Sequence, residues 1–272
     1  MNGVLHSSES WHGITSTQIA QLETVDHHLM RTILSAHAKI PIEFLYLETG
    51  ALPIKSVITS RRLNYFKHIH IQPEHELIKR IFSAQREDPK KGDWWLMVKD
   101  DMETFNIDEN EIITKNKAQT KKYVKEKVYQ ITFENMKNVQ KTHSKIKDIQ
   151  YDKFKTQEYL TNKSFSYEEA SMLLALRSRT VKDIKCNMKS FSQNDKMCPL
   201  CLKTEDTQEH CMELKYLQNK FNDQIQYNHI FSKSEQEQKA VTNLFLRIFE
   251  TRQSLIQEGL PGTETLDPIL YT

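Results

Sequence analysis

The sequence predicts an all-α fold, a multi-helix bundle with one small irregular loop. Glycine occurs 6 times and proline 7 times in 272 residues, so few residues suit tight hairpin turns. Apolar residues recur at helical spacing over most of the chain, as on one buried face of a helix. No alternating strand pattern or internal repeat competes with this spacing. These observations together favour long helices over sheets.

Capping residues and prolines mark where the helices begin. Thr15 and Gln18 form a capping box before an amphipathic helix, and Asp93 is placed to cap a later one. In that later helix Trp94 and Trp95 are interpreted as packing anchors rather than base-stacking residues. Proline suits a first helical position because that turn leaves its N–H groups unpaired. The prolines so placed are Pro41, Pro53 and Pro73. The apolar face of the first helix comprises Ile19, Leu22, Val25, Leu29 and Ile33.

Further capping boxes and a polar stretch divide the rest of the chain. Ser166 with Glu169, and Ser234 with Glu237, predict two more helix starts. The predicted divisions are a helical domain over 1–105, a polar linker over 106–119, a basic helical connector over 120–186, an irregular loop region over 187–232, a C-terminal helix over 233–260 and a flexible tail over 261–272.

Composition indicates an intracellular, soluble protein. The chain has no run of 18 apolar residues, and its first ten residues have neither the basic start nor the apolar stretch of a signal peptide. No membrane partner is therefore expected. The length of 272 residues suits one large domain or two modest ones.

Charge is distributed unevenly although the net charge is only +2. Residues 115–155 contain twelve lysines and four acids, a local excess of +8. Residues 205–272 contain six lysines or arginines and eleven acids, a balance of −5. The middle of the chain is therefore expected to face a polyanion such as RNA or DNA. The alternative is an ordinary solvated helix face.

The four cysteines lie within 26 residues, which in a reducing compartment argues for metal rather than disulfides. Cys198 and Cys201 form a Cys-x2-Cys pair, and His210 follows after eight residues, an arrangement typical of a small zinc knuckle. The usual place of the fourth ligand holds Leu214 and Lys215, which do not bind metal. The possible replacements are Cys211, which is nearest, and Cys186 or His229. The alternative is a decayed knuckle with reduced thiols.

Most of residues 1–215 resemble the C-terminal third of the reverse transcriptase polyprotein of non-LTR (LINE-type) retrotransposons. The resemblance rests on the segments NGVLHSSESWHGIT, LETVDHHLMRTILSAHAKIPIEFLYLETGALPIKSVITSRRLNYFKHI and CPLC followed by EHC. It implies thumb-like helices over 1–105, a helical connector and a zinc knuckle that follow an RNA-directed DNA polymerase. It also implies the upstream polymerase domain as a partner, and the cytoplasm and nucleus as the location.

The same resemblance implies that the chain is not an enzyme on its own. The family binds its catalytic metals through an aromatic-Ala-Asp-Asp hairpin, which this sequence lacks, so no catalytic residue is assigned. Asp100 and Asp101 are the one close imitation and are expected to be exposed polar residues. Met1 is accordingly interpreted as an internal start or the start of a truncated copy.

Basic residues in three stretches are candidate phosphate contacts. Phosphate contacts hold a nucleic acid without reading its bases. Tyr123, which lies among the lysines of the connector, is assigned to the core. The candidates are Lys55, Arg61, Arg62 and Lys67 in the thumb-like region, Lys121, Lys122, Lys125 and Lys127 in the connector, and Arg177 and Arg179 before the cysteine loop.

The resulting hypothesis is a nucleic-acid-binding C-terminal fragment of a retrotransposon reverse transcriptase. One alternative is an all-α protein-interaction module, which an uncovered hydrophobic groove along Leu244, Phe245 and Ile248 would favour. Another is a non-functional remnant of the element.

Overall fold

The structure is helical, as predicted, in the part of the chain that it describes. This computed structural model describes residues 5–181, 197–198, 201, 203–213 and 226–257. An isolated antiparallel bridge between Met197 and Glu205 is the exception to helix and loop there. The α-helices are α1 (Ser16–Ile33), α2 (Ile42–Thr49), α3 (Ile54–His70), α4 (Leu77–Glu87), α5 (Trp94–Thr104), α6 (Glu109–Thr114), α7 (Lys117–Gln140), α8 (Tyr167–Arg177), α9 (Gln208–Glu213) and α10 (Glu235–Gln257). Short 3-10 helices cover Ser8–Ser10, Glu158–Leu160 and Tyr227–Phe231.

Local capping signals position several helix starts as expected. The Thr15 N–H donates to Gln18 Oε1 at 2.9 Å, and the Gln18 N–H donates to Thr15 Oγ1 at 3.2 Å. Ser166 and Glu169 form the reciprocal box at the start of α8. Both boxes satisfy N–H groups that a first helical turn leaves without partners.

The chain divides into two compact units that alternate along the sequence. Unit 1 comprises Met1–Met30, Tyr46–Val139 and Tyr151–Lys155, and unit 2 comprises Arg31–Leu45, Gln140–Gln150 and Thr156–Thr272. The predicted division into consecutive domains does not coincide with these units. The predicted tail over 261–272 lies outside the described residues.

The segment expected to be a linker is part of the unit 1 core. Residues 106–119 contain α6, and Ile107 and Ile112 are buried among the core side chains. Asp108 caps the helix by accepting a hydrogen bond from the Asn110 N–H at 2.9 Å. The linker prediction is wrong because a few apolar residues within a polar segment are enough to fix one short helix.

Unit 1 is built around α3, which packs against the 3-10 helix Ser8–Ser10 and against α4, α5 and α6. The rings of Phe66, Phe82 and Trp95 lie with centroids 5.6 to 5.9 Å apart. Trp94 is also buried, and its Nε1–H donates to the Glu9 carbonyl at 2.9 Å. The interpretation of both tryptophans as packing anchors is confirmed.

α7 contributes one apolar side to the same core. Val124 and Val128 are fully buried, and Tyr123 packs against the cluster as predicted. The hydroxyls of Thr132 and Ser56 lie 3.0 Å apart and connect α7 to α3. These inward residues of α7 recur every fourth position, so Lys121, Lys122 and Lys125 face outward.

α1 does not bury the whole apolar face that its sequence predicts. Val25, Leu29 and Ile33 are 60%, 41% and 61% exposed. The buried residue of this helix is Asp26, whose carboxylate accepts a hydrogen bond from the Tyr46 hydroxyl at 3.1 Å. The amphipathic spacing correctly predicts the helix, but no described element covers the second half of its apolar face.

Unit 2 is centred on α8 and α10, which pack together and against the 3-10 helix Tyr227–Phe231. Leu244, Phe245 and Ile248 on α10 are 5%, 0% and 1% exposed. These residues therefore form core rather than an open groove. The feature that would have favoured a protein-interaction module is not found at this position.

Candidate metal centre and nucleic-acid interface

A short turn of unit 2 holds Cys198 and Cys201 together. Met197 and Glu205 pair as an antiparallel bridge, and the Cys198 N–H donates to the Thr204 carbonyl at 2.8 Å. These bonds hold residues 197–198 beside residues 204–205. A Cys-x2-Cys pair in such a turn offers two thiols to one metal ion.

α9 brings His210 to the same place. Gln208 is 2% exposed and fixes this short helix near the end of α8. Its side-chain nitrogen donates to the Leu176 carbonyl at 3.1 Å, and its side-chain oxygen accepts from the Val181 N–H at 3.2 Å. His210 therefore reaches the cysteine turn from a helix that is itself anchored.

The three side chains form a group of the size that zinc requires. The sulfur atoms of Cys198 and Cys201 and a ring nitrogen of His210 lie within 4.8 Å of one another. The distance from Cys201 Sγ to His210 Nε2 is 3.2 Å. Zinc bonds of about 2.3 Å to sulfur and 2.0 to 2.1 Å to nitrogen place neighbouring tetrahedral ligands roughly 3.5 Å apart. Small side-chain movements would therefore place these three donor atoms at three corners of a tetrahedron around one zinc ion.

The surroundings of Cys201 favour the thiolate, the form that binds metal. Burial by itself raises the pKa of this thiol. Hydrogen bonds from the Thr204 hydroxyl, from the N–H groups of Lys203 and Thr204, and from Cys198 outweigh burial and place the pKa below its ordinary value of 9.0. The turn thus makes it easier for this thiol to lose its proton.

Cys211, the expected fourth ligand, does not belong to the group. Its thiol is 1% exposed and lies 3.8 Å from the carboxylate of Asp206, which is fully buried. Neighbouring side chains on a helix diverge by about 100°, so Cys211 points away from the place that His210 reaches. Thr204 lies there instead, with its hydroxyl 2.9 Å from His210 Nε2 and 3.4 Å from Cys201 Sγ.

The other proposed donors do not complete the group either. Cys186 lies outside the described residues. His229 belongs to the 3-10 helix Tyr227–Phe231, where its ring accepts a hydrogen bond from the Gln226 N–H at 3.4 Å. It is not among the three clustered donors.

Exposed lysines line the outward side of the first turns of α7. Lys127 is partly buried, and the other predicted contacts on this helix are exposed. Glu126 is the one acid in residues 117–127, and its carboxylate lies 3.9 Å from Lys122 Nζ in a pair exposed to solvent. Such an exposed pair stabilises the protein little. The exposed lysines of this segment are Lys117, Lys121, Lys122 and Lys125.

Two basic candidates on α3 are interior residues. Arg62 and Lys67 are 4% and 6% exposed. Arg62 pairs with Asp101 at 2.6 Å, and Lys67 Nζ donates to the Ile113 carbonyl at 2.7 Å. The prediction that they contact phosphate is corrected, because both cations are engaged inside unit 1.

The other two candidates on α3 lie at the surface. Lys55 is exposed. Arg61 is half-buried, and its guanidinium donates to the Leu5 carbonyl and, at 3.3 Å, to the Ser8 hydroxyl. Their contact with phosphate remains a prediction.

Of the two arginines predicted to contact phosphate before the cysteine loop, only one is exposed. Arg177 is 6% exposed, donates to the Ile230 carbonyl at 3.1 Å and lies 5.7 Å from the centroid of the Tyr159 ring. Its assignment as a phosphate contact is corrected, since the guanidinium holds unit 2 together. Arg179 is exposed, and its Nε lies 3.5 Å from Glu209 on α9.

Asp101 is buried, contrary to the expectation of two exposed aspartates. It is 3% exposed and accepts hydrogen bonds from Thr59 at 2.7 Å and from Arg62, whereas Asp100 is exposed. Burial raises the pKa of the Asp101 carboxyl, against the opposing effects of Arg62 and Thr59. Its place in the structure is that of a counterion for Arg62.

Two residues at these sites were not singled out from the sequence. Lys117 lies four residues before Lys121, and that spacing was the available signal for it. Thr204 lies between metal donors in a loop, where a threonine carries no recognisable signal.

Comparison of the chain with models of protein families, with curated proteins and with solved structures found no match. The resemblance to retrotransposon reverse transcriptases therefore rests on the quoted sequence segments. Within the described ranges, no helix has both the length and the apolar character needed to cross a bilayer.

Proposed function

We propose that this chain binds RNA or DNA through phosphate contacts made by α7, as a C-terminal part of a retrotransposon reverse transcriptase without its catalytic palm. The observation that carries the proposal is a stripe of exposed lysines, Lys117, Lys121 and Lys125, with Lys122 beside it. This basic stripe, as we call these four residues, lies on a helix whose opposite side is core.

The basic stripe is unfavourable for an isolated helix. Like charges four residues apart on a helix repel by about 0.2 to 0.5 kcal/mol per pair. Lys117 and Lys121 also lie in the first turns, where the helix dipole already places positive charge. A bound polyanion would remove both penalties, which supports a nucleic-acid partner over a merely solvated face.

The dimensions of the basic stripe suit a nucleic-acid backbone. At 1.5 Å per residue, Lys117 and Lys125 are separated along the axis by roughly 12 Å. That length corresponds to about three to four phosphates along one strand of a duplex. Lysine contacts of this kind position a backbone without reading bases, so we expect weak sequence preference.

The group formed by Cys198, Cys201 and His210 supports a structural zinc in the same protein. Zinc bound there would cross-link the cysteine turn to α9. Burial of both thiols and their place in a folded turn support a structural role. No step of catalysis is assigned to it.

Binding of fluorescent single-stranded and duplex oligonucleotides over a salt series tests the proposed function. The logarithm of affinity should fall linearly with the logarithm of salt concentration, because lysines release counterions from phosphate. The triple variant Lys121→Gln, Lys122→Gln and Lys125→Gln should weaken binding about tenfold or more and reduce the slope by roughly two.

The matched control neutralises three other lysines of unit 1, through Lys90→Gln, Lys91→Gln and Lys99→Gln. These side chains are exposed and lie outside α7. The control should retain most of the affinity and the slope. An affinity that does not respond to salt, or an equal loss in both triple variants, would overturn the assignment to α7.

A further inference from the structure

A recess of about 640 Å³ lies in unit 1 between α3, the first turns of α7 and the N-terminal segment. Its volume falls within the range of about 300 to 1,000 Å³ that is usual for small-ligand sites. Glu9 is the one acid among the lining residues. The lining residues used below are Arg61, Tyr65, Lys67, His68, Lys117 and Lys121. We call this cavity the basic recess.

The cations of the basic recess are of two kinds. Arg61 and Lys67 are fixed in the wall by hydrogen bonds to backbone carbonyls of Leu5 and Ile113. They contribute positive potential without moving. Lys117 and Lys121 are exposed and lie one helical turn apart at the start of α7. Exposed amino groups beside the N-terminus of a long helix are suited to hold a phosphate.

Two aromatic rings on α3 also line the basic recess. The rings of Tyr65 and His68 are stacked, with centroids 5.7 Å apart and planes inclined by 25°. Tyr65 is held in turn by Trp94, whose ring meets it edge-on at 5.8 Å. Gln72 lies 3.3 Å from His68 Nδ1 and restrains the exposed imidazole. A restrained ring at a cavity wall is a platform on which a base can stack.

The carboxylate of Glu9 favours one orientation of a ligand in the basic recess. Glu9 lies on the Tyr65 side: its charge, after burial, helps to raise the pKa of the Tyr65 phenol. A phosphate is repelled by this carboxylate and attracted to Lys117 and Lys121, whereas the Arg61 guanidinium is already engaged by Leu5 and Ser8. The neutral base then falls on the aromatic side. Charge and stacking therefore favour the same orientation.

We propose that the basic recess binds one nucleotide unit of a single strand, with its phosphate at Lys117 and Lys121 and its base against the Tyr65–His68 stack. This proposal rests on the proposed function and adds to it a defined site for one base and its phosphate. Elsewhere on the basic stripe the contacts are with backbone alone.

Titration of the full chain with adenosine 5′-monophosphate, adenosine and inorganic phosphate tests the proposal, with binding followed by NMR chemical shifts. The monophosphate should bind at least about tenfold more tightly than either part, because only it engages both sides of the recess. Lys117→Gln with Lys121→Gln should weaken the monophosphate and phosphate. His68→Ala should weaken the monophosphate and adenosine but leave phosphate unchanged.

Lys122→Gln with Lys125→Gln is the matched control, since neither residue lines the recess. It should retain monophosphate binding while it weakens binding of long oligonucleotides. Monophosphate binding that is absent, no tighter than phosphate, or unaffected by Lys117→Gln with Lys121→Gln would overturn the recess site. If oligonucleotides still bind with a steep salt dependence in that case, the proposed function stands without it. Loss of oligonucleotide binding with retained monophosphate binding would instead overturn the proposed function and leave the recess as a site for a free mononucleotide.

Discussion

Arg62 and Asp101 form an ion pair between α3 and α5 inside unit 1. Their N–O distance is 2.6 Å, and the side chains are 5% and 4% exposed. Arg62 Nε is buried without a hydrogen-bond partner in the described part of the chain. The guanidinium therefore depends on Asp101 for neutralisation. Removing one member of a buried pair leaves a charge without compensation, whereas replacing both by apolar residues does not.

We expect Asp101→Asn to lower the free energy of unfolding by about 3 kcal/mol, because Arg62 keeps its charge in the interior. The double variant Arg62→Met with Asp101→Leu should recover most of that loss. Urea denaturation followed by tryptophan fluorescence measures both. A single-variant loss below about 1 kcal/mol, the usual size for an exposed pair, would show that solvent screens this one.

His70 should make the stability of unit 1 depend on pH. Its Nδ1 is buried without a hydrogen-bond partner among the described residues. Burial, and then the charges of Lys79, Lys67 and Arg86, lower the pKa of its imidazole below the ordinary 6.5. The folded state thus binds this proton more weakly than the unfolded state. The stabilisation is present above about pH 6.5 and is lost as pH falls through the lowered pKa.

The substitution His70→Gln should reduce the loss of stability between about pH 7 and pH 5, because the titrating group is gone. The measurement is the urea midpoint of tryptophan fluorescence at each pH. His12→Gln, at an exposed position, should keep the pH dependence of the unsubstituted protein. If His70→Gln keeps it as well, another group is responsible.

At the scale of elements, the cysteine turn and α9 together form one candidate metal-binding site. Cys198→Ser should abolish stoichiometric zinc binding, because it removes one of three clustered donors. Cys211→Ser should retain zinc, since that thiol lies at Asp206 and outside the group. Metal content of the purified variants, and the absorption of the cobalt-substituted forms, provide the measurement.

Cobalt absorption gives this prediction a second readout, because sulfur-to-cobalt charge transfer grows with the number of thiolates. The spectrum should correspond to two thiolates in both the unsubstituted protein and Cys211→Ser. A three-thiolate spectrum that loses one thiolate in Cys211→Ser would restore Cys211 as a ligand and contradict its exclusion from the group of three donors.

The spacing of apolar residues predicts where a helix forms better than it predicts which face of that helix is buried. α1 forms where its amphipathic pattern places it, yet Val25 and Leu29 remain exposed. α6 forms inside a polar segment because Ile107 and Ile112 have a core to enter. In both cases the neighbouring elements, rather than the helix itself, decided which face is buried.

At the scale of the whole molecule, the two units can be followed by different signals: tryptophan fluorescence reports on unit 1, and metal binding reports on unit 2. All three tryptophans, Trp11, Trp94 and Trp95, belong to unit 1, whereas the metal donors belong to unit 2. Removing zinc with a chelator should lower the midpoint of thermal unfolding seen by circular dichroism. The midpoint seen by tryptophan fluorescence should change little, because unit 1 has its own core. A fluorescence midpoint that shifts equally would show that both units unfold as one.

The sequence by itself determined the helical class, the capping boxes that begin at Thr15 and Ser166, the basic α7 and the pairing of Cys198 and Cys201 with His210, whereas the side chain of Asp93 does not cap α5 as predicted. Each depends on residues close together along the chain, such as a capping box of four positions or two cysteines in one turn. The physical interactions that produce these features act locally. They are therefore visible in residue type and spacing.

Only the tertiary structure decided which cations are interior and which donor is excluded from the metal group. Arg62 meets Asp101 from 39 positions away, and Arg177 meets the Ile230 carbonyl from 53 positions away. The exposure of a side chain depends on which distant element packs over it, and spacing along one helix contains no information about that. Two neighbouring arginines can therefore have different environments: Arg61 lies at the surface, whereas Arg62 is buried.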